Sequence, residues 1–189
     1  MKQKRILAMI LAVASCLSLA VGASAANTTT RKATDFRDYD RTAWYAEAVS
    51  AAVDNGLLYG KSSTIIDPSG DMTRAEMAAI INRSFGCYKT ADISQYSDVS
   101  KSKWYYKDVA LAVQMGTYNG RSASSMAPDA PISRQEAMTV VARALELDYD
   151  SYSKTDLSAF SDRSEISNWA LPYVRAMVGA DSVSYTHLT

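Results

Sequence analysis

Two cysteines, four prolines and one histidine are all that this 189-residue sequence holds of three residue types that carry much of protein chemistry. Cys16 lies in an N-terminal segment that reads as removable, which leaves Cys87 alone, so no intrachain disulfide can form. At the end of an apolar helical pattern, Cys87 reads as a small buried hydrophobe and not as a reactive thiol. The one histidine, His187, falls in the last seven residues, 183–189. These read as a translated transposon-type sequencing adapter, with the natural sequence interrupted near Asp181 or Ser182, so no metal or acid/base role is built on His187. There is no glycine-rich phosphate loop, paired cysteine motif or nucleophile motif, and an enzyme reading finds nothing to stand on. No cofactor is called for. Beyond the N-terminal segment, no apolar run is long enough to span a membrane.

Residues 1–26 read as a secretion signal. Lys2, Lys4 and Arg5 precede an apolar run from Ile6 to Val21, and small residues close it at Ala23-Ser24-Ala25-Ala26. Val13-Ala14-Ser15-Cys16 loosely resembles a lipoprotein cleavage box, but apolar residues continue past Cys16. Without the signal, seventeen Lys and Arg face twenty Asp and Glu, a net charge of about −3. No clustered basic excess points to nucleic acid or to an anionic membrane. About 160 residues then remain, enough for one core.

What the sequence does have is a repeat. Phe36-Arg37-Asp38 returns as Tyr96-Ser97-Asp98, Trp44-Tyr45 as Trp104-Tyr105, and Val49 and Val53 as Val109 and Val113. Gly56, Gly60 and Pro68 return as Gly116, Gly120 and Pro128, every pair sixty residues apart. A third copy opens at Phe160-Ser161-Asp162, carries Trp169, Val174 and Val178 after one extra residue, and then loses the pattern, with Asp181 where Gly56 and Gly116 stand. The reading is therefore a linker at 27–35, repeat 1 at 36–88, a linker at 89–95, repeat 2 at 96–147, a linker at 148–159 and a partial repeat 3 at 160–182. Each repeat predicts two helices. The first has Trp44, Ala48, Val49, Ala52 and Val53 on one face and is ended by Gly56. The second has a stripe of Met77, Ile80, Ile81 and Phe85, or of Ala137, Val140, Val141 and Leu145. The loop between them is expected to bend without building core. Pairs this small must pack on one another, so a chain lacking the last helix is expected to be unstable or to associate.

The second helix opens on a motif that recurs as Met72-Thr73-Arg74-Ala75-Glu76 and Ile132-Ser133-Arg134-Gln135-Glu136. It is a capping box: Thr73 or Ser133 accepts an orphan backbone N–H, and Glu76 or Glu136 reaches back to the cap. Helix formation alone explains those four residues. It does not explain Arg74 and Arg134, because the first turn carries the positive end of the helix dipole. A negatively charged ligand is one reason for an arginine there; a partner Asp in a neighbouring repeat, or simple solvation, is the other.

These residues resemble the S-layer homology domain of bacterial cell-surface proteins, whose most recognisable signature stands here as Thr73-Arg74-Ala75-Glu76. The resemblance implies an all-α fold in which helix-loop-helix repeats form a pseudo-threefold bundle, the third repeat here being incomplete. It also implies non-covalent anchoring to the cell wall by secondary wall polysaccharide held in grooves between repeats. That polymer often bears a pyruvate ketal and is associated with peptidoglycan. Its carboxylate suits the planar donor fork of an arginine, aided by free N–H groups at the helix start. Arg74 and Arg134 are thus candidate ligand residues, with Asp38, Asp98, Trp44 and Trp104. Local capping of the first helix is the expected role of the two Asp, and most of each Trp ring is expected in the core. Ile66 and Met126 stand where the family often has Phe, and the loops lack its Asp-Gly turn. Self-association into a lattice without a specific glycan, or service as the anchor of a larger wall hydrolase, are the alternative readings.

Overall fold

The computed structural model describes residues 31–182. The signal at 1–26, residues 27–30 of the first linker and the segment 183–189 with His187 lie outside the described residues. Five α-helices are described: α1 (Ala46–Asp54), α2 (Arg74–Phe85), α3 (Tyr106–Gln114), α4 (Arg134–Ala144) and α5 (Leu171–Gly179). Two short 3-10 turns, Ala33–Asp35 and Arg163–Glu165, accompany them. Among the described residues no helix is long and apolar enough to cross a membrane. The chain is all-α, as its repeats imply.

The chain divides at Gly70 into two compact units. In the first, Phe36, Val49, Val53 and Ile66 form a small core with Ala33, and Tyr39, Tyr45 and Leu58 pack against it. Ala33 is 1% exposed, so the reading of 27–35 as a linker fails at its end: the Ala33–Asp35 turn is a wall of this core. Ile93 and Leu157 are buried in the same way three residues before Tyr96 and Phe160, which makes the ends of the other two linkers structural as well. An apolar residue three positions ahead of each aromatic was the available signal.

In the second unit α2 packs against α3, α4 packs against α5, and α2 also touches α4. The second helix of one repeat thus lies on the first helix of the next. Nine of the twelve residues of α2 are buried, more than the expected four-residue stripe. Alanines 75, 78 and 79 allow neighbours to approach its remaining faces. Helices α1, α3 and α5 end in one geometry. The residue after the cap is left-handed, and two N–H groups reach back over the last turn: Gly56 to Val53 and Leu57 to Ala52, Gly116 to Val113 and Thr117 to Ala112, Asp181 to Val178 and Ser182 to Met177. Asp181 takes the position of Gly56 and Gly116 at φ 50°, so the closure of a first helix continues in repeat 3 through Ser182.

The loops between helices are more than bends. Ile66 and Met126 are 4% and 1% exposed, so each loop puts one apolar side chain into a core. Asp38 and Asp98 make this possible, and neither caps the first helix, whose N-caps Tyr45 and Tyr105 have no side-chain cap. Asp38 accepts the N–H groups of Ile66 at 2.9 Å and Asp67 at 2.6 Å. Asp98 accepts those of Met126 at 2.9 Å and Ala127 at 2.7 Å, and the Ser125 hydroxyl at 2.8 Å. Asp67 and Ala127 are left-handed, at φ 56° and 53°, a conformation non-glycine residues resist. A carboxylate gripping two successive amides holds the loop in it.

Candidate functional site

The tryptophans are not core. Trp44 is 43% and Trp104 60% exposed, while the following tyrosines go inward: Tyr105 is 1% exposed and donates to Asp129 at 2.9 Å. The reason is register, because α1 and α3 begin at residues 46 and 106 and each Trp precedes its helix by two positions. Each stands edge-on to its tyrosine, with centroids 5.7 Å apart in repeat 1 and 5.4 Å in repeat 2.

Both capping boxes are present. Thr73 accepts from the N–H of Glu76 at 3.2 Å and donates its own to that side chain at 2.9 Å. Ser133 and Glu136 do the same at 3.3 and 2.8 Å. The N–H groups of Arg74 and Ala75 are engaged too, donating to the carbonyls of Ala130 and Pro128 at 3.0 and 2.9 Å. The start of α2 therefore has no open amide for an anion at those two residues, against the expectation from the sequence. The loop of repeat 2 takes them, through an isolated bridge of Thr73 and Pro131.

Arg74 is 5% exposed. Its Nε donates to the Met126 carbonyl at 3.0 Å, one terminal nitrogen to Glu136 Oε1 at 3.0 Å, and the other to the Asn119 carbonyl at 3.2 Å and the Met126 sulfur at 3.7 Å. A guanidinium has five N–H donors, so these bonds leave at most one for a ligand. Its plane lies over the Tyr118 ring, 5.1 Å from the centroid. The partner is thus a neighbouring repeat's acid, a Glu and not an Asp. Glu136 does more than cap: it also accepts from Arg121 Nε at 3.2 Å. Burial pushes its carboxyl up, but the Ser133 amide, the Arg74 charge and its other partners outweigh this and hold it below the usual carboxylate range. Arg134 is held differently. Its side chain is 20% exposed, 3.8 Å from Asp162 and 5.8 Å from the Phe160 ring centroid.

Around Arg74 opens a cleft of about 530 Å³ within the second unit. Its walls come from the segment Thr117–Arg121, from α4 and from Trp169 and Tyr173 of repeat 3. Three arginines line it, Arg74, Arg121 and Arg143, against one carboxylate, Glu136. Arg121 keeps 44% of its side chain exposed. Arg143 donates to the Tyr173 hydroxyl at 3.2 Å and lies over that ring at 4.8 Å. Trp169 is 53% exposed. Such an arrangement can hold an anionic group against arginine and lay an apolar ring face on an aromatic one. Of the residues singled out in the sequence, Arg74 and Glu136 line the cleft; Arg134, Asp38, Asp98, Trp44 and Trp104 are not among its walls. Arg121, Arg143, Trp169, Tyr173 and Tyr118 were missed. Of these, only Trp169 carried a signal, as the third member of the Trp series. Among the described residues no cluster of acids, histidines or cysteines could hold a metal ion.

The S-layer homology domain family model matches residues 35–78 and 95–138. The surface-layer 125 kDa protein of Lysinibacillus sphaericus is 32% identical over 147 residues, which is 77% of this chain and 12% of that protein. An endoglucanase of Bacillus sp. (strain KSM-635) is 26% identical over 170 residues, 88% of this chain and 18% of the enzyme. The S-layer protein sap of Bacillus anthracis is 23% identical over 134 residues, 71% of this chain and 16% of that protein. The chain thus spans less than a fifth of each of these relatives. The likeness to the enzyme falls on the repeats, a binding and anchoring domain. These matches indicate a secreted protein of the cell surface or wall. Residues 35–78 and 95–138 are S-layer homology domains, and through these two repeats the chain belongs to the S-layer homology family.

Proposed function

We propose that this chain anchors a secreted protein to the bacterial cell wall by binding an anionic secondary wall polysaccharide in the cleft around Arg74. The carrying observation is the cleft's charge: three arginine side chains against one carboxylate, beside an exposed tryptophan, in a chain whose net charge is close to zero or slightly acidic. A local cationic cleft on such a chain selects for an anion by geometry and not by bulk charge. A ketal-linked pyruvate carboxylate, carried on a sugar ring, has both the charge and the flat apolar face that the walls complement.

The arginines divide the work. Arg74 supplies fixed charge and at most one N–H, since the loop carbonyls and Glu136 hold the rest of its fork. Arg121 and Arg143 reach the cleft with more accessible heads and make the direct contacts. Arg134, toward Phe160 and Asp162, is the corresponding arginine between repeats 2 and 3 and contributes less to binding. In this reading the repeats close into the family's pseudo-threefold bundle, self-association is secondary, and the chain has no catalytic activity of its own. The sites on Trp44, Trp104, Asp38 and Asp98 are not part of it, the Asp oxygens being committed to loop amides.

The test is co-sedimentation with wall sacculi before and after removal of the secondary polymer, with a pyruvate-ketal methyl glycoside as competitor. Binding that depends on the polymer, is displaced by the ketal and falls at least tenfold in Arg121→Ala/Arg143→Ala is the expected result. Equal binding to stripped sacculi would overturn the proposal.

A further inference from the structure

Tyr118 occupies the place that Leu58 holds in repeat 1, so the helical architecture asks only for an apolar side chain there. Tyr118, a residue 3% exposed, satisfies that demand with its ring, which sits beneath the Arg74 guanidinium. The hydroxyl is superfluous to packing. It is also costly, because its oxygen is buried and has no hydrogen-bond partner among the described residues. A buried polar atom without a partner is uncommon in a native protein, and phenylalanine would fill the same volume without it. Tyr118 lines the cleft described above, whose volume of about 530 Å³ lies in the range of small-ligand sites, roughly 300–1,000 Å³.

We infer that the Tyr118 hydroxyl is a specificity contact, donating a hydrogen bond to an oxygen of the anionic sugar bound beside Arg74. This rests on the reading of the cleft as the polymer site and adds to it a residue that the repeat pattern does not supply. Burial raises the phenol's ionisation well above its ordinary range, opposed by Arg74 and reinforced by Glu136, so the group remains a donor at any physiological pH. The adjoining arginines hold only the charged group. A neutral donor at the cleft wall distinguishes a ligand with an acceptor oxygen at that point from one without, since a site built around a hydrogen bond rejects the analogue that leaves it unpaired.

Tyr118→Phe separates this role from a structural one. Isothermal titration of the full chain with the pyruvate-ketal methyl glycoside should show a Kd raised about tenfold by the substitution, the upper end of the loss expected for a hydrogen bond between uncharged groups. The Tm of the unliganded variant should be unchanged or higher, because only an unpaired hydroxyl is removed. Parent and variant binding equally would overturn the inference and leave the polymer reading intact. A lower Tm in the variant would also overturn it, by showing that the hydroxyl serves the fold. Failure of the parent to bind the ketal or polymer-bearing sacculi would overturn the polymer reading, and the inference with it.

Discussion

Arg74 and Arg134 occupy one place in one five-residue motif, sixty residues apart, yet the first is a buried tie between repeats and the second a partly exposed side chain near a carboxylate. The difference lies in what the next repeat presents. Arg74 meets a complete loop, with the Met126 and Asn119 carbonyls at 3.0 and 3.2 Å and Glu136 at 3.0 Å. Arg134 meets Asp162 at 3.8 Å and the Phe160 ring. The same residue becomes framework or rim according to its surroundings, so a motif by itself assigns no role.

The largest expected effect breaks this comparison directly. Arg74→Ala strands Glu136 partly buried and leaves two loop carbonyls without their donor. It should cost about 3 kcal/mol in urea unfolding, at the low end for a broken buried pair because Arg121 still holds Glu136. Arg134→Ala should cost about 1 kcal/mol or less, as exposed pairs do. Equal losses would mean that the two arginines are framework alike.

Next in size is the loop tether. Asp98→Ala removes a carboxylate that accepts three hydrogen bonds and should cost about 2 kcal/mol. It also predicts a pH dependence. Burial pushes the Asp98 carboxyl up, but the Met126 and Ala127 amides and the Ser125 hydroxyl together hold it below its ordinary value. A carboxyl depressed in the folded state contributes stability that is fully present above its unfolded pKa of about 3.9 and is lost as pH falls through the folded value. Urea midpoints of the parent should therefore decline below about pH 4, and Asp98→Asn should flatten that decline.

The smallest effect sharpens the contrast at the ends of the second helices. Gly86 follows α2 at φ 68°, whereas its counterpart Glu146 follows α4 at φ 51°. Glu146 is exposed and its side chain is not needed there. Glu146→Gly should stabilise by about 1 kcal/mol and Gly86→Ala should cost about as much, read as opposite shifts in Tm.

Much of the architecture was legible in the residues. The sixty-residue register located the helices to within two positions, and the capping boxes and helix-ending glycines stand where their chemistry placed them. What did not show was anything decided by where a helix begins or by contact between residues far apart in the chain. The exposed Trp44 and Trp104 could not be told from core residues, because their orientation depends on a helix start two residues later. Asp38 and Asp98 read as local caps, since nothing local reveals an amide pair 28 and 29 residues downstream. The cleft was hidden for the same reason: its walls come from residues 74, 117–121, 136–143 and 169–173, which only the packing of α2, α4 and α5 brings together.

The pairing of each second helix with the following first helix also bears on how the protein comes to be folded outside the cell. A chain exported N-terminus first releases α2, buried on most sides in the final structure, before α3 exists to cover it. From the end of α2 at Phe85 to the end of α3 at Gln114, 29 more residues must emerge, roughly 100 Å of extended chain. Until then α2 is an apolar helix awaiting its cover, and α4 stands in the same relation to α5. Assembly therefore advances half a repeat behind translocation, each new segment sealing the one before it.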